Sequence, residues 1–105
     1  MAFAGGNGII YLADRSGNLF WFRHSGAADG TFSWANNATA VKVGNGWNDV
    51  ASAFAGGDGL IYALKRDGNL YWYRHAGFLT GAVRWDGLPA GNRVGTGWGG
   101  LVRIF

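Results

Sequence analysis

The sequence repeats itself. When Phe3 is aligned with Phe54, the two halves match to the end of the chain without an insertion or a deletion. The matched pairs include all six tryptophans, which align as Trp21 with Trp72, Trp34 with Trp85, and Trp47 with Trp98. A repeat of this length, rich in strand-forming residues, indicates a propeller blade or a similar repeated unit. Two such units are too few to bury their own faces, so the repeat also predicts that further units complete the fold.

Each repeat is predicted to form four short strands, because four segments are rich in Ile, Val, Tyr, Phe and Trp. The segments are 50–55, begun again at 101–105; 9–13 and 60–64; 19–24 and 70–75; and 40–43 and 92–94. Tight hairpins follow the second strands, with Gly17 and Gly68 where positive φ is needed. A longer loop, 25–39 and 76–90, joins the last two strands and holds one tryptophan in each repeat. No segment shows helical periodicity.

The third strand predicts how the sheets are arranged. Residues 19–22 are apolar in succession, whereas a sheet with one wet face would alternate apolar and polar residues. Both faces must therefore be covered, as they are in blades stacked around an axis. We predict an all-β fold with two four-stranded antiparallel β-propeller blades per chain. The blades correspond to residues 1–52 and 53–105, and the end of the second begins the next blade.

The two ends of the chain lie at the same phase of the repeat, since Phe3, Phe54 and Phe105 are equivalent. The first repeat is therefore expected to lack most of its own first strand, and 101–105 to need a sheet to join. Because two blades cannot close a ring, we expect these partners in other chains. The prediction is a closed homo-oligomer linked by strand exchange.

Composition excludes several classes of function. The chain has 105 residues, no cysteine, no glutamate and six aspartates, and its net charge of +3 is scattered rather than clustered. Nucleic-acid binding, membrane insertion and a thiolate metal site are therefore not expected. No leader pattern opens the sequence, so cytoplasmic expression or an excised segment is expected. No two aspartates align between the repeats, and no catalytic set, metal site or cofactor motif is present; we expect no enzyme activity and no cofactor.

A longer pattern resembles the tachylectin-like lectins. It runs Gly-x-Ile-Tyr, Asp-Gly-Asn-Leu-Tyr-Trp-Tyr-Arg-His, Gly-x-x-x-Gly-x-x-x-Trp and Val-Gly-x-Gly-Trp, and is carried by residues 60–62, 67–75, 77–85 and 94–98. The first repeat carries it from residue 9 to residue 47. The resemblance implies a five-bladed propeller that binds N-acetylated sugars (GlcNAc or GalNAc) at blade interfaces. Those sites would be formed by 34–37 and 85–88 together with 44–47 and 95–98. One departure is that Phe32-Ser33 and Val83-Arg84 replace an Asp-Asn pair that precedes the loop tryptophan in the animal lectin.

The resemblance also bears on assembly. A pentamer would hold ten blades in two five-bladed rings, and a trimer would hold one six-bladed ring; we favour the pentamer on family grounds. A two-repeat chain this regular is also typical of a two-blade fragment, a recent duplication or a designed chain.

The candidate carbohydrate-binding residues each have a structural alternative. Trp34 and Trp85 either stack on a sugar ring or plug the gap between blades, whereas Trp47 and Trp98 favour packing. Strand-end arginines can donate to sugar hydroxyls, or they can have a structural role in which they bind carbonyl groups or pair with an aspartate; the structural role is favoured. Asparagine and aspartate after the loop tryptophans can bind hydroxyls or form turns. The full set is Trp34, Asn36, Asn37, Trp47, Trp85, Asp86, Trp98, Arg23 and Arg74.

The expected function is therefore a multivalent lectin, in which weak single sites are strengthened by their number. Its alternative is a structural or protein-interaction propeller without a functional sugar site.

Overall fold

The computed structural model describes residues 1–35, 39–87 and 91–98, and over these ranges the chain is all-β apart from 3-10 turns, one of which spans Trp47–Asp49. The strands are β1 Ala2–Gly6, β2 Ile9–Ala13, β3 Leu19–Arg23, β4 Val41–Gly44, β5 Val50–Gly57, β6 Leu60–Lys65, β7 Leu70–His75, β8 Trp85–Asp86 and β9 Asn92–Gly95. Every predicted strand within the described ranges is present, with ends that differ by at most about two residues, as is usual for assigned boundaries. The strand predicted at 101–105 lies outside the described residues.

The strands form two antiparallel sheets, one from each repeat. The first sheet has the order β1-β2-β3-β4, and the second has the order β5-β6-β7-β8, with β9 also paired to β7. Neighbours in sequence are thus neighbours in space, which is the meander expected of a propeller blade. The first strands of the two sheets, β1 and β5, lie against each other.

The second sheet has five strands, so the prediction of four was wrong there. Strand β9 pairs with the first half of β7, from Leu70 to Trp72. The edge of β7 is then open from Arg74 onward, and the long loop folds back to pair Trp85 with His75 and Asp86 with Arg74. The first repeat makes the same contact as a single bridge between His24 and Trp34.

The first repeat also possesses its own first strand, contrary to prediction. Strand β1 pairs with β2 from Ala2 opposite Leu12 to Gly6 opposite Ile9, and the N–H of Ala13 donates to the carbonyl of Met1 just before β1. Five residues are enough because β2 is itself only five residues long. The first sheet is therefore closed on this side by its own chain.

The turns follow the sequence prediction. Gly17 and Gly68 have φ angles of 86° and 87°. Asn7 and Asp58, which precede glycines between the first two strands of each sheet, both have φ of 54° and form the type I′ turns that suit a twisted hairpin. Both halves of the sequence thus build their hairpins in the same way.

Candidate functional site

The two repeats are joined by hydrogen bonds from one sheet to the other, and these bonds position the candidate site. The indole N–H of Trp21 donates to the carbonyl of Phe78 at 2.8 Å, and Arg23 Nη1 donates to the carbonyl of Leu79 at 3.0 Å. In the opposite direction, the indole N–H of Trp85 donates to the carbonyl of Val43 at 2.7 Å. The long loop of the second repeat is thereby held against the first sheet.

A buried tyrosine–histidine pair lies at the centre of this junction. The Tyr11 hydroxyl is 2.6 Å from His75 Nδ1, and His75 Nε2 is 2.8 Å from the carbonyl of Ala82. Because a carbonyl can only accept, Nε2 carries the proton and Nδ1 accepts from Tyr11. Burial lowers the pKa of His75, although its bond to Ala82 opposes this change, and burial raises the pKa of Tyr11. The pair is therefore neutral at physiological pH.

Above this pair, the junction opens into a cleft of about 220 Å³. Its lining comes from the end of the first sheet, the turn that follows it, and β7 and β8 of the second sheet. The lining residues are Val43, Gly44, Asn45, Trp47, Tyr73, Trp85, Asp86 and Gly87. The cleft thus combines aromatic walls, amide groups and one carboxylate.

Three aromatic rings form the cleft wall. Trp47 begins the 3-10 turn and is buried, with its ring centroid 4.9 Å from that of Tyr73. Trp85 approaches Tyr73 edge-on at 6.2 Å and stacks on His75 at 4.7 Å. Trp85 therefore fills the gap between the sheets and lines the cleft as well. Because its indole N–H already donates to the carbonyl of Val43, Trp85 can offer a ligand only the apolar surface of its ring.

Tyr73 is the residue of this wall that the sequence analysis did not select. Burial, together with the negative charge of Asp49 and with Tyr71, raises its pKa to about 12, so the hydroxyl stays protonated. The sequence does indicate that Tyr73 lies on the same face of its strand as His75. Side chains two residues apart in a strand share a face, and Tyr73 precedes His75 by two. The repeat hides that signal, since the equivalent of Tyr73 is Phe22.

The carboxylate of Asp86 lies at the mouth of the cleft and is about half exposed. Its Oδ2 atom is 3.7 Å from Arg74 Nη1, while Arg74 Nε donates to the carbonyl of Asp58 at 3.3 Å. An exposed ion pair of this length contributes little to stability. Asp86 is thus available as an acceptor, with a cation beside it.

The remaining sequence candidates lie elsewhere. Arg23 is engaged with Leu79 and does not line the cleft. Trp34 stacks on His24 at 4.7 Å on the other side of the first repeat, and Trp98 follows β9 at the far side of the second. Asn36 and Asn37 lie outside the described residues. Of the predicted set, Trp47, Trp85 and Asp86 come together in the cleft.

Two features are absent from the described residues. These residues contain no group of three or more His, Cys, Asp or Glu side chains that could hold a metal ion. Over the same ranges, no helix has the length and apolarity needed to cross a membrane.

Comparison with known families gives one match. The family model described as Tachylectin matches residues 1–105. The chain belongs to the tachylectin family. No curated protein and no solved structure matches it. Family membership, together with the all-β sheets, indicates a lectin-like, carbohydrate-binding β-propeller role, in agreement with the resemblance seen in the sequence.

Proposed function

We propose that this protein binds N-acetylated sugars, N-acetylglucosamine or N-acetylgalactosamine, in the cleft between its two repeats and does not transform them. The observation that carries the proposal is the convergence of Trp47, Tyr73, Trp85 and Asp86 from both repeats on one opening. A cleft of about 220 Å³ is smaller than the roughly 300–1,000 Å³ of sites for drug-sized ligands, and so suits a single sugar ring.

The chemistry of the cleft fits such a ligand. The aromatic rings offer flat apolar surfaces to the C–H face of a pyranose and to the acetyl methyl group. The Asp86 carboxylate can accept from the acetamido N–H or from a hydroxyl, and a charge-assisted bond of this kind is the stronger type. The Tyr73 hydroxyl can donate or accept.

The same inventory argues against catalysis. Glycoside hydrolysis usually requires two placed carboxyl groups, and Asp86 is the one carboxylate among the described residues of the lining. We therefore propose binding alone. Multivalency through a homo-oligomer would strengthen weak single sites on a glycan surface. Because the two repeats pack against each other within one chain, a ring of whole chains has an even number of blades. The trimer with one six-bladed ring fits this packing, whereas the pentamer with two five-bladed rings, which the resemblance favours, would separate the two repeats of each chain.

The repeat supplies the test variants. Asp86→Ala introduces the residue that the first repeat has at this position, Ala35, and should weaken N-acetylglucosamine binding by about tenfold, as expected for the loss of one charge-assisted bond of about 1.5 kcal/mol. The control is Asp58→Asn, which removes a carboxylate outside the cleft. Its repeat equivalent is Asn7, which has the same φ of 54°.

Binding is measured by isothermal titration with N-acetylglucosamine and N-acetylgalactosamine, with glucose as the sugar that lacks an acetamido group. Binding that Asp86→Ala weakens and Asp58→Asn leaves intact supports the proposal. No binding of either sugar by the folded chain contradicts it and favours the protein-interaction propeller. Equal losses in both variants contradict the assignment of the cleft.

A further inference from the structure

Equivalent residues of the two repeats differ sharply in exposure. Val43 is 1% exposed, whereas its repeat equivalent Val94 is 55% exposed. Trp21 is 2% exposed, whereas Trp72 is half-buried. The first member of each pair is buried because the second repeat covers it. The second sheet leaves the same face more exposed, although Gly87 of its own repeat lies beside the Trp72 ring.

Two open faces follow from this difference. The open strand face belongs to the second sheet and consists of Phe54, Tyr62, Trp72, Val94 and Trp98. The open loop face belongs to the first repeat and consists of His24, Ala27, Ala28, Gly30 and Trp34. Each is the repeat equivalent of one side of the junction that the chain has already formed.

We propose that the open strand face of one copy binds the open loop face of a second copy, head to tail, as the two repeats of one chain bind each other. The proposal deepens the homo-oligomer part of the proposed function by naming the surfaces that meet. It does not depend on sugar binding.

The donors and acceptors of the existing junction recur on the open faces. The hydroxyl of Tyr62 is equivalent to that of Tyr11, and His24 Nε2 already lies 2.8 Å from the carbonyl of Thr31, as His75 Nε2 lies from Ala82. Nδ1 of His24 is therefore an acceptor for Tyr62 of a second copy. By the same equivalence, Trp72 can donate to the carbonyl of Ala27.

The open loop face is also preformed. Trp34 stacks on His24 with a centroid distance of 4.7 Å and an interplanar angle of 28°, and Trp85 stacks on His75 with the same values. The indole N–H of Trp34 would then reach the carbonyl of Val94 in the second copy. A face that needs no rearrangement loses little conformational entropy on binding.

Glycine leaves room for the incoming tryptophan. Gly81 lies directly against Trp21, and a Cβ atom there would stand 2.7 Å from the Trp21 ring. The equivalent Gly30 has nearly the same φ, +77° against +81°, and a Cβ at Gly30 would meet nothing within 4 Å. Gly30 thus leaves the space that Trp72 of a second copy would fill.

One difference makes the contact between copies weaker than the contact within a chain. Phe78 packs against the core of the existing junction, whereas its equivalent Ala27 borders an open cavity of about 410 Å³ beside His24. Replacing a phenylalanine by alanine removes buried apolar area. Assembly is therefore expected to be reversible and dependent on concentration.

The contact would also complete a second cleft from residues of both copies. Val94, Gly95 and Trp98 of one copy would meet Phe22, Trp34 and Ala35 of the other. In this cleft Phe22 replaces Tyr73, and Ala35 replaces Asp86. The second cleft therefore lacks the hydroxyl and the carboxylate of the first, so the two clefts would not bind a sugar equally.

The test uses one variant for each face. Val94→Arg changes the open strand face, and Ala27→Arg changes the open loop face; both residues are exposed in the chain, so its fold should be preserved. Each variant alone should be a monomer by native mass spectrometry and sedimentation velocity, whereas the unchanged chain assembles. A head-to-tail contact joins unlike faces, so an equimolar mixture of the two variants keeps one intact pair and should form a heterodimer.

Two controls carry an arginine at exposed positions away from the proposed contact. Val83→Arg matches Val94→Arg in residue type, and Val83 stays 65% exposed beside the junction already formed. Phe32→Arg matches Ala27→Arg; Phe32 is 95% exposed and is the repeat equivalent of Val83. Both controls should assemble like the unchanged chain.

Three results would overturn the inference: an unchanged chain that stays monomeric at high concentration, face variants that still assemble, or a mixture that remains monomeric. A failure of the assembly proposal can be distinguished from a failure of the lectin proposal, because the cleft with Tyr73 and Asp86 is complete within one chain. A monomer that binds sugar contradicts only the assembly, and an oligomer that binds none contradicts only the lectin.

Discussion

The junction between the repeats and the two open faces are built from the same residues in two environments. His75 is completely buried between a tyrosine and a carbonyl group, while His24 is half-buried and has its Nε2 bond without a tyrosine opposite Nδ1 in the described chain. The residue type is the same; what differs is the presence of a neighbouring repeat. The burial of a residue in a repeat protein therefore depends on whether a neighbouring repeat covers it. This chain shows both cases, since His75 is covered and His24 is not.

The largest expected effect comes from the paired tryptophans. Trp21→Ala removes a buried ring and its bond to Phe78, and should lower the free energy of unfolding by about 3–5 kcal/mol. Trp72→Ala removes a half-buried ring and should cost about half as much in a Val94→Arg background, which keeps the open strand face uncovered. Urea titrations followed by circular dichroism measure both. Equal costs would mean that the junction does not bury Trp21 as described.

A smaller effect separates the two tyrosines. Tyr11→Phe leaves the buried Nδ1 of His75 without its donor and should cost about 1–3 kcal/mol. Tyr62→Phe in the Val94→Arg background should change stability by less than about 0.5 kcal/mol, as is usual for a surface substitution. If Tyr62→Phe lowers stability as much as Tyr11→Phe in a chain shown to be monomeric, the proposed difference between the junction and the open strand face is wrong.

The smallest effect is a dependence of stability on pH. Burial lowers the pKa of His75 in the folded chain, so between its ordinary value near 6.5 and the lowered value the unfolded chain binds the extra proton. The free energy of unfolding should therefore be constant from about pH 7 to about pH 9, below the range in which the tyrosines titrate, and should decrease as the pH falls below about 6.5. His75→Gln should remove this slope, and His24→Gln, also in the Val94→Arg background, should retain it. A slope that survives His75→Gln would assign it to another group.

Much of the fold could be predicted because strand-forming segments and glycine turns act locally. The described strands appear where the two halves of the sequence place them, and Gly17 and Gly68 adopt the predicted φ. The fold-back of Trp85 as β8 was missed, because whether a loop residue pairs depends on where β9 ends along β7. That is a question of register between distant segments, which local propensity does not answer.

The candidate site could be predicted in part for a related reason. Trp47, Trp85 and Asp86 were selected because the resemblance and their place in the repeat mark the segments that meet between blades. Tyr73 was missed because the candidates were taken from loops, turns and strand ends, whereas Tyr73 lies within β7 and has Phe22 at the equivalent position of the other repeat. Arg23 was selected but contacts Leu79, since its direction at the strand end is set by the neighbouring sheet.

The most direct test of the sugar site is a titration of the ¹⁵N-labelled Val94→Arg chain with N-acetylglucosamine, followed by the indole N–H signals of the six tryptophans. The Val94→Arg change keeps the second cleft from forming, so that only the cleft within the chain is complete. The signals of Trp47 and Trp85 should shift and saturate together, while that of Trp21, bound to Phe78 outside the lining, should not move. If neither Trp47 nor Trp85 responds at saturating sugar, the cleft between the repeats is not the binding site.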